Sequence, residues 1–438
     1  MKKRSMAVMA AFALAAAGCS GGSGGANPSS GGAKPADSAP AKTEAPAKQV
    51  TLSYALWDKN QVPAMEEIIK KFKEKQPNID VKIELTPSGK EYWQKMETAA
   101  IGGTLPDVLW MNGPNIVKYA SNGMLMAIGD QVKASGLDLK NYPESLVNLY
   151  TVGGKLYGIP KDFDTVGMWY NKKMFDEAGV KYPDGNWDWN AVVEAAKKLT
   201  NPGKGVWGIA ADMNSQEAYY NTIIQAGGGV ISDDKKKSGY DSPEAIAGLK
   251  FWTDLIHVHK VSPTLAQMTD TTPIKLFESG KVAMLWAGSW NAIEFAKNEF
   301  TKDKVDVAAL PKQKQQGVVI HGLANVISAK TKNPKEAWTF VSFLGSKEAA
   351  EILAKTGTVI PAFNGTQTTW VKSTPQFNLQ VYIDMLSYSK PYPVSKDTSK
   401  WNNLETEYFK KAWTGELKIE DAAKQVATKM NEFLAQEK

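Results

Sequence analysis

The chain has 438 residues and a formal charge of +6, with 52 Lys+Arg against 46 Asp+Glu, one Cys and three His. With 43% hydrophobic and 22% charged residues it can bury a large core, and its length predicts two or three domains. One Cys excludes a disulfide framework and any multi-thiolate metal site, and Arg4 as the sole Arg argues against sequence-specific nucleic-acid reading and against an arginine-clamped anion.

Met1-Lys2-Lys3-Arg4 is a basic n-region, followed by an apolar run from Met6 to Ala17. The run is too short to span a bilayer and has the length of a signal h-region. It leads into Leu14-Ala15-Ala16-Ala17-Gly18-Cys19, which resembles a bacterial lipobox. The resemblance implies cleavage of residues 1–18 and lipidation of Cys19, and thus a membrane anchor without a spanning helix. An ordinary secreted protein cut after Ala17 or Gly18 is the alternative. Residues 20–48 follow, 22 of the 29 being Ser, Gly, Ala or Pro. Such a segment buries too little apolar surface to offset its ordering entropy, so 19–48 is read as lipidated Cys plus flexible tether. Residues 1–48 carry a net +4, leaving +2 on the remainder, so the basic balance belongs mostly to address and tether.

From Val50 the pattern changes. Val50–Leu56 alternates as a strand, and Pro63–Lys75 places Met65, Ile68, Ile69 and Phe72 on one helical face. Ile79–Leu85 is a strand, Ser88–Ile101 a helix, Asp107–Met111 a short buried strand and Pro114–Ser121 a helix. Val166–Tyr170 opens a second set. Helices are predicted at 190–198, 216–225, 243–259 and from 273, then strands at 281–286, 305–310 and 325–328. Helices at 334–344 and 347–355 and a helical run from Trp401 close the chain. The alternation predicts an α/β fold with open, mainly parallel sheets.

Several segments in order resemble the extracellular solute-binding proteins of carbohydrate ABC importers, the family that includes maltose-binding protein. They are Trp57-Asp58 after the first strand, Leu105-Pro106-Asp107-Val108, and Gly154-Lys155-Leu156-Tyr157-Gly158-Ile159-Pro160 with Met168–Phe175. Phe277–Met284 running into Trp286-Ala287-Gly288-Ser289-Trp290, and Gly415-Glu416-Leu417, complete the set. The resemblance implies a two-lobe periplasmic-binding-protein-like fold with crossover hinges and an interlobe ligand cleft. It places lobe one at 49–163 and 304–354, and lobe two at 164–303 and 355–438. It further implies a neutral oligosaccharide ligand, ABC permease subunits as partners, and a position on the outer face of the cytoplasmic membrane. A monomer without cofactor or nucleic-acid partner is expected.

A neutral sugar offers hydroxyls and an apolar C–H face, which carboxylates, amides and flat aromatics complement. Trp57 and Asp58 stand at a strand end, where Asp58 matches a sugar-binding carboxylate of the family; capping the next helix is its other reading. Lys59 is weighed as a solvated side chain. Asn112 follows Met111, where the maltose-binding member carries an aromatic, so a stacking platform is not expected there. Asp162 and Asp164 lie at the first crossover, Asp164 matching a ligand-binding acid. Glu217 and Tyr219 match a segment that supplies an acid and an aromatic. Trp290 aligns with the family's stacking Trp, Trp286 stands beside it with strand packing as its alternative, and Trp401 stands where another stacking Trp is expected. His321 near a later crossover is weighed between cleft and structural roles, and His257 and His259 diverge too far for a metal site.

Two other readings stay open. The same fold would take an acidic sugar or phosphorylated solute if Lys59 or Lys161 faced the cleft. A secreted glycoside hydrolase would need two opposed carboxylates.

Overall fold

A computed structural model describes residues 48–437 apart from Ser88. The signal segment, Cys19 and the tether lie outside the described residues, and so do the expectations attached to them.

The first layer begins with β1 (Val50–Leu56), α1 (Val62–Lys75), β2 (Ile79–Leu85), α2 (Gly89–Gly102), β3 (Val108–Asn112) and α3 (Gly113–Ser121). In α1 the apolar stripe Met65, Ile68 and Phe72 is buried, and Pro63 sits in the first turn, where its missing N–H costs no helical bond. Strand β4 (Gly158–Pro160) leads to the first crossing.

The second layer holds β5 (Val166–Asn171), α4 (Trp189–Leu199), β6 (Trp207–Ile209) and a π-turn at Ser215–Tyr219 that runs into α5 (Tyr220–Gln225). Then come α6 (Pro243–His257), β7 (Val282–Gly288) and β8 (Val305–Ala308). Asp188 and Ser242 cap α4 and α6 by accepting from Ala191 and Ala245 N–H. The chain returns to the first layer with β9 (Leu323–Ile327), α7 (Pro334–Leu344) and α8 (Lys347–Thr356), and ends with α9 (Thr398–Trp413) and α10 (Ile419–Leu434).

Among the described residues the first sheet has the order β2-β1-β3-β9-β4 and the second β8-β5-β7-β6. Parallel pairing holds for β1 with β2 and β3 and for β7 with β6. The other ladders are antiparallel, so the expected parallel sheets are mixed. The crossings explain this. Leu323 opens β9 opposite Asn112, the last residue of β3, and Val166 opens β5 opposite Gly288, the last residue of β7. A strand entering from the crossing starts at the end where its neighbour finishes, and a parallel neighbour would need a crossover element to return the chain.

Two lobe boundaries move. Val305–Ala308, assigned from sequence to lobe one, pairs with Met168–Asn171 in the second sheet. Residues up to 320 stay there, with Gln225 Nε2 donating to the Gly317 carbonyl and Val319 N–H to Asn221. Residues just beyond 355, assigned to lobe two, stay with the first layer: Asn364 N–H donates to the Asn141 carbonyl and the Trp370 indole to Gly357, at the end of α8. By Asn378, whose N–H donates to Asp306, the chain has crossed again. A run such as Val-Asp-Val-Ala alternates identically at the edge of either sheet, so periodicity does not assign it.

The crossings are stitched together. Asp164 and His321 exchange backbone hydrogen bonds, Lys161 N–H donates to Leu323, and Ile360-Pro361 pairs with Asp162-Phe163. A Cβ on Gly322 would lie 2.3 Å from the Asp162 carbonyl oxygen, so only glycine lets these two strands touch.

Candidate functional site

The strand ends that face the crossings enclose a cleft of about 410 Å³. The first layer contributes Trp57, Asp58, Gln61 and Asn112, the crossings Asp162, Asp164 and His321, and the second layer Gln216, Ser289 and Trp290. This volume lies in the range of roughly 300–1,000 Å³ typical of small-ligand sites.

One indole comes from each layer. Trp57 is wedged among Tyr92, Trp93 and Trp110 at ring-centroid distances of 4.8, 5.9 and 5.2 Å, which fixes its plane. Trp290 follows β7 in a short 3-10 turn, and a Cβ on Gly288 would lie 2.0 Å from its six-membered ring. Glycine at 288 is therefore what lets the indole lie against the backbone. The Ser289 hydroxyl in the same turn is buried and lacks a hydrogen-bond partner among the described residues. The residue borders the cleft while its hydroxyl is turned inward, and sequence reasoning passed over it as part of a motif.

Asp58 caps a turn and also borders the cleft. Its carboxylate accepts from Asn60 N–H and Gln61 Nε2, both at 2.9 Å, capping a 3-10 turn while lining the cleft. Asn112 also lines it, with Oδ1 accepting from Asn115 Nδ2 at 2.8 Å. Met111 is fully buried.

Asp162 forms the cleft floor. It pairs with the Lys161 ammonium and accepts from Leu323 N–H at 2.9 Å. Lys161 also donates to Gln61 Oε1 at 2.7 Å and sits 4.2 Å over the Trp110 ring. Burial pushes the Asp162 carboxyl up, and Lys161 pulls it back. Asp164 accepts from Gln216 Nε2 at 2.7 Å, and its other oxygen lies 3.6 Å from His321 Nδ1. His321 Nε2 accepts from Gly113 N–H at 3.1 Å, which leaves the proton on Nδ1, facing Asp164. Gln216 and His321 thus join the site, and their positions depend on how the crossings pack.

Four expected residues are placed elsewhere. Glu217 turns its carboxylate onto Gly288 N–H, Asn291 and Asn214 rather than lining the cleft. The Tyr219 hydroxyl donates to Glu405 in the interior of the second layer. Trp286 packs edge-on against Trp252 at 4.7 Å, its strand-packing alternative. Trp401 is fully buried, with its indole N–H on Ser395 Oγ at 2.9 Å. Among the described residues no group of three His, Cys, Asp or Glu side chains is arranged to hold a metal ion, and no helix is long and apolar enough to cross a membrane.

The chain as a whole resembles known proteins. The family model described as bacterial extracellular solute-binding protein matches residues 58–351. The chain is 24% identical over 417 residues to the maltooligosaccharide ABC transporter solute-binding lipoprotein of Streptococcus pneumoniae, covering 92% of each chain. It is 24% identical to the multiple sugar-binding protein of Streptococcus mutans, over 69% of this chain and 73% of that one. Its structure superimposes with a TM-score of 0.84 on the ABC substrate-binding protein Lmo0181 of Listeria monocytogenes in complex with cycloalternan, at 27% identity, covering 89% of this chain and 100% of that one. These relatives are binding proteins, not enzymes. With two thirds of its length matched to the family model, the chain belongs to the bacterial extracellular solute-binding proteins.

Proposed function

We propose that the protein is the sugar-binding component of an oligosaccharide ABC importer, capturing a neutral oligosaccharide between its lobes and delivering it to the permease. The supporting observation is the composition of the cleft. Trp57 and Trp290 offer flat apolar faces from opposite layers, and Asp58, Asp164, Asn112 and Gln216 offer hydrogen-bonding groups between them. Stacking plus charge-assisted hydrogen bonds suits sugar hydroxyls on an apolar ring. Carboxylates at Asp58, Asp162, Asp164 and Glu294 outnumber Lys59 in the lining, and Lys161 is committed to Asp162, so the field disfavours an anionic ligand. The relatives named for sugars support the same class.

In this reading lobe one is about 48–163 with 322–373, and lobe two about 164–321 with 374–437. Closure about the stitched crossings brings Trp57 and Trp290 onto one ligand, and binding favours the closed state by its differential affinity. Cys19 carries the lipid that holds the protein, as a monomer, at the outer face of the cytoplasmic membrane, and the tether lets it reach the permease.

Titration calorimetry against a panel of neutral and acidic oligosaccharides tests the ligand class. Saturable heat with a neutral member supports it. Heat only from acidic members, with affinity rising steeply as salt falls, points to the anionic alternative. Sugar cleavage on long incubation would indicate a hydrolase.

A further inference from the structure

We propose that Glu217 is a positioning residue that sets the Trp290 platform and ties it to the hinge, without touching the ligand. The inference rests on the reading of the cleft as a sugar site. Glu217 Oε1 accepts from Gly288 N–H at 2.7 Å and from Asn291 Nδ2 at 3.3 Å. Its Oε2 accepts from Asn214 Nδ2 at 3.0 Å. Gly288 and Asn291 bracket Ser289 and Trp290, so one carboxylate grips the turn at both ends. The ring of Trp290 lies directly against Gly288, and a shift of that peptide carries the indole with it.

The same π-turn reaches the hinge. Asn214 Oδ1 caps it by accepting from Glu217 N–H at 2.9 Å, and the neighbouring Gln216 donates to Asp164, which is joined to His321 through the backbone. Asn214, Gln216 and Glu217 thus hold the aromatic platform on one side and a crossing segment on the other. A residue that merely filled the core would not need both oxygens occupied by donors on these particular elements.

All three partners donate, so the clamp is complete only when Glu217 is ionised. A protonated carboxyl would turn an O–H toward groups that are themselves donors. Burial pushes the Glu217 carboxyl up to about 8, against the pull of the Gly288 N–H; Asp212 and Asp164 add to the rise and Asn291 opposes it. The Tyr382 hydroxyl faces it from the 380–384 helix, and Asp212 is itself pushed up to about 6 by burial. The clamp therefore tightens as pH rises from about 7 to 9, and affinity rises with it.

The test begins without ligand. Trp290 emission, isolated by subtracting the spectrum of Trp290→Phe, is followed from pH 6 to 9 in the wild type and in Glu217→Gln. A wild-type titration with a midpoint near 8 that vanishes in Glu217→Gln is expected. With the tightest-binding sugar, Glu217→Gln should weaken affinity by roughly tenfold, the order of one charge-assisted hydrogen bond. The double variant Glu217→Gln/Trp290→Phe should bind no worse than Trp290→Phe alone. If Glu217→Gln does not fold, Asn291→Ala serves, and loss of one donor should move the midpoint upward. A Trp290 signal flat with pH, or additive losses in the double variant, would overturn the proposal. A wild type that binds no neutral sugar defeats the functional reading, while the ligand-free titration still decides the role of Glu217.

Discussion

Replacing Gly288 by Ala changes no polar group in the cleft, yet it should cost much of the binding energy. The added methyl would stand 2.0 Å from the Trp290 ring, where ordinary contact begins near 3.4 Å, so the indole must move by at least about 1.4 Å. The φ of Gly288 is −69°, so alanine suits the backbone and the clash with the ring is the main perturbation. A sugar covering about 80 Å² of one indole face gains about 2 kcal/mol at ~25 cal/mol/Å². Losing that contact weakens affinity about 30-fold. Overpacking should cost about 1–3 kcal/mol of stability, within what a chain of this size tolerates. Calorimetry on Gly288→Ala, with a thermal melt to show that it is folded, measures both. Trp290→Ala should lose a similar factor. A folded Gly288→Ala that binds within twofold of the wild type would refute the placement of Trp290 as a platform.

Other outcomes follow from groups around the cleft. Glu405 is 2% exposed and accepts from Tyr219, Tyr220 and Tyr240, and burial pushes its carboxyl up to about 7 against the pull of those hydroxyls. Between its ordinary value of 4.5 and about 7 the folded state keeps a proton that the unfolded chain has released. The associated stability, about 3 kcal/mol, is full below pH 4.5 and lost as pH rises through 7. Melts at pH 5 and 8 should show a smaller loss in Glu405→Gln than in the wild type; equal losses would contradict this. Lys161→Met leaves the Asp162 carboxylate buried without its partner and should cost about 3–5 kcal/mol in a denaturant titration, a cost that Lys161→Met/Asp162→Asn recovers in part. Trp401→Ala should lower stability by about 3–5 kcal/mol yet leave sugar affinity in the folded fraction unchanged, since the side chain is wholly internal.

What the sequence conveyed about this site follows from local geometry. Trp57, Asp58 and Asn112 stand where strands stop, and strand ends face the crevice of an open α/β sheet, so pattern agreed there with the family resemblance that singled them out. Trp286 and Trp290 are four apart, and an uninterrupted strand would put both on one face. The strand stops at Gly288, and the 3-10 turn from Ser289 rotates Trp290 into the cleft while Trp286 stays in the core. The π-turn at Ser215–Tyr219 has a similar effect: Gln216 reaches the cleft, Glu217 the Trp290 loop and Tyr219 the interior. A wider turn leaves no mark in hydrophobic periodicity. His321 and the shifted lobe boundaries depend on which strands pair across the crossings, a non-local choice. The order of α/β elements was accessible because helical stripes such as Met65, Ile68 and Phe72 follow directly from spacing, and the two-lobe plan came from the family resemblance.

The most direct test of the account is calorimetric titration of the protein with a neutral oligosaccharide at low and high salt, with Trp57→Ala and Trp290→Ala alongside. One site per chain is predicted, with affinity nearly independent of salt and a loss of tenfold or more in each variant. Absence of heat with every neutral oligosaccharide, or binding that both variants leave intact, would contradict it.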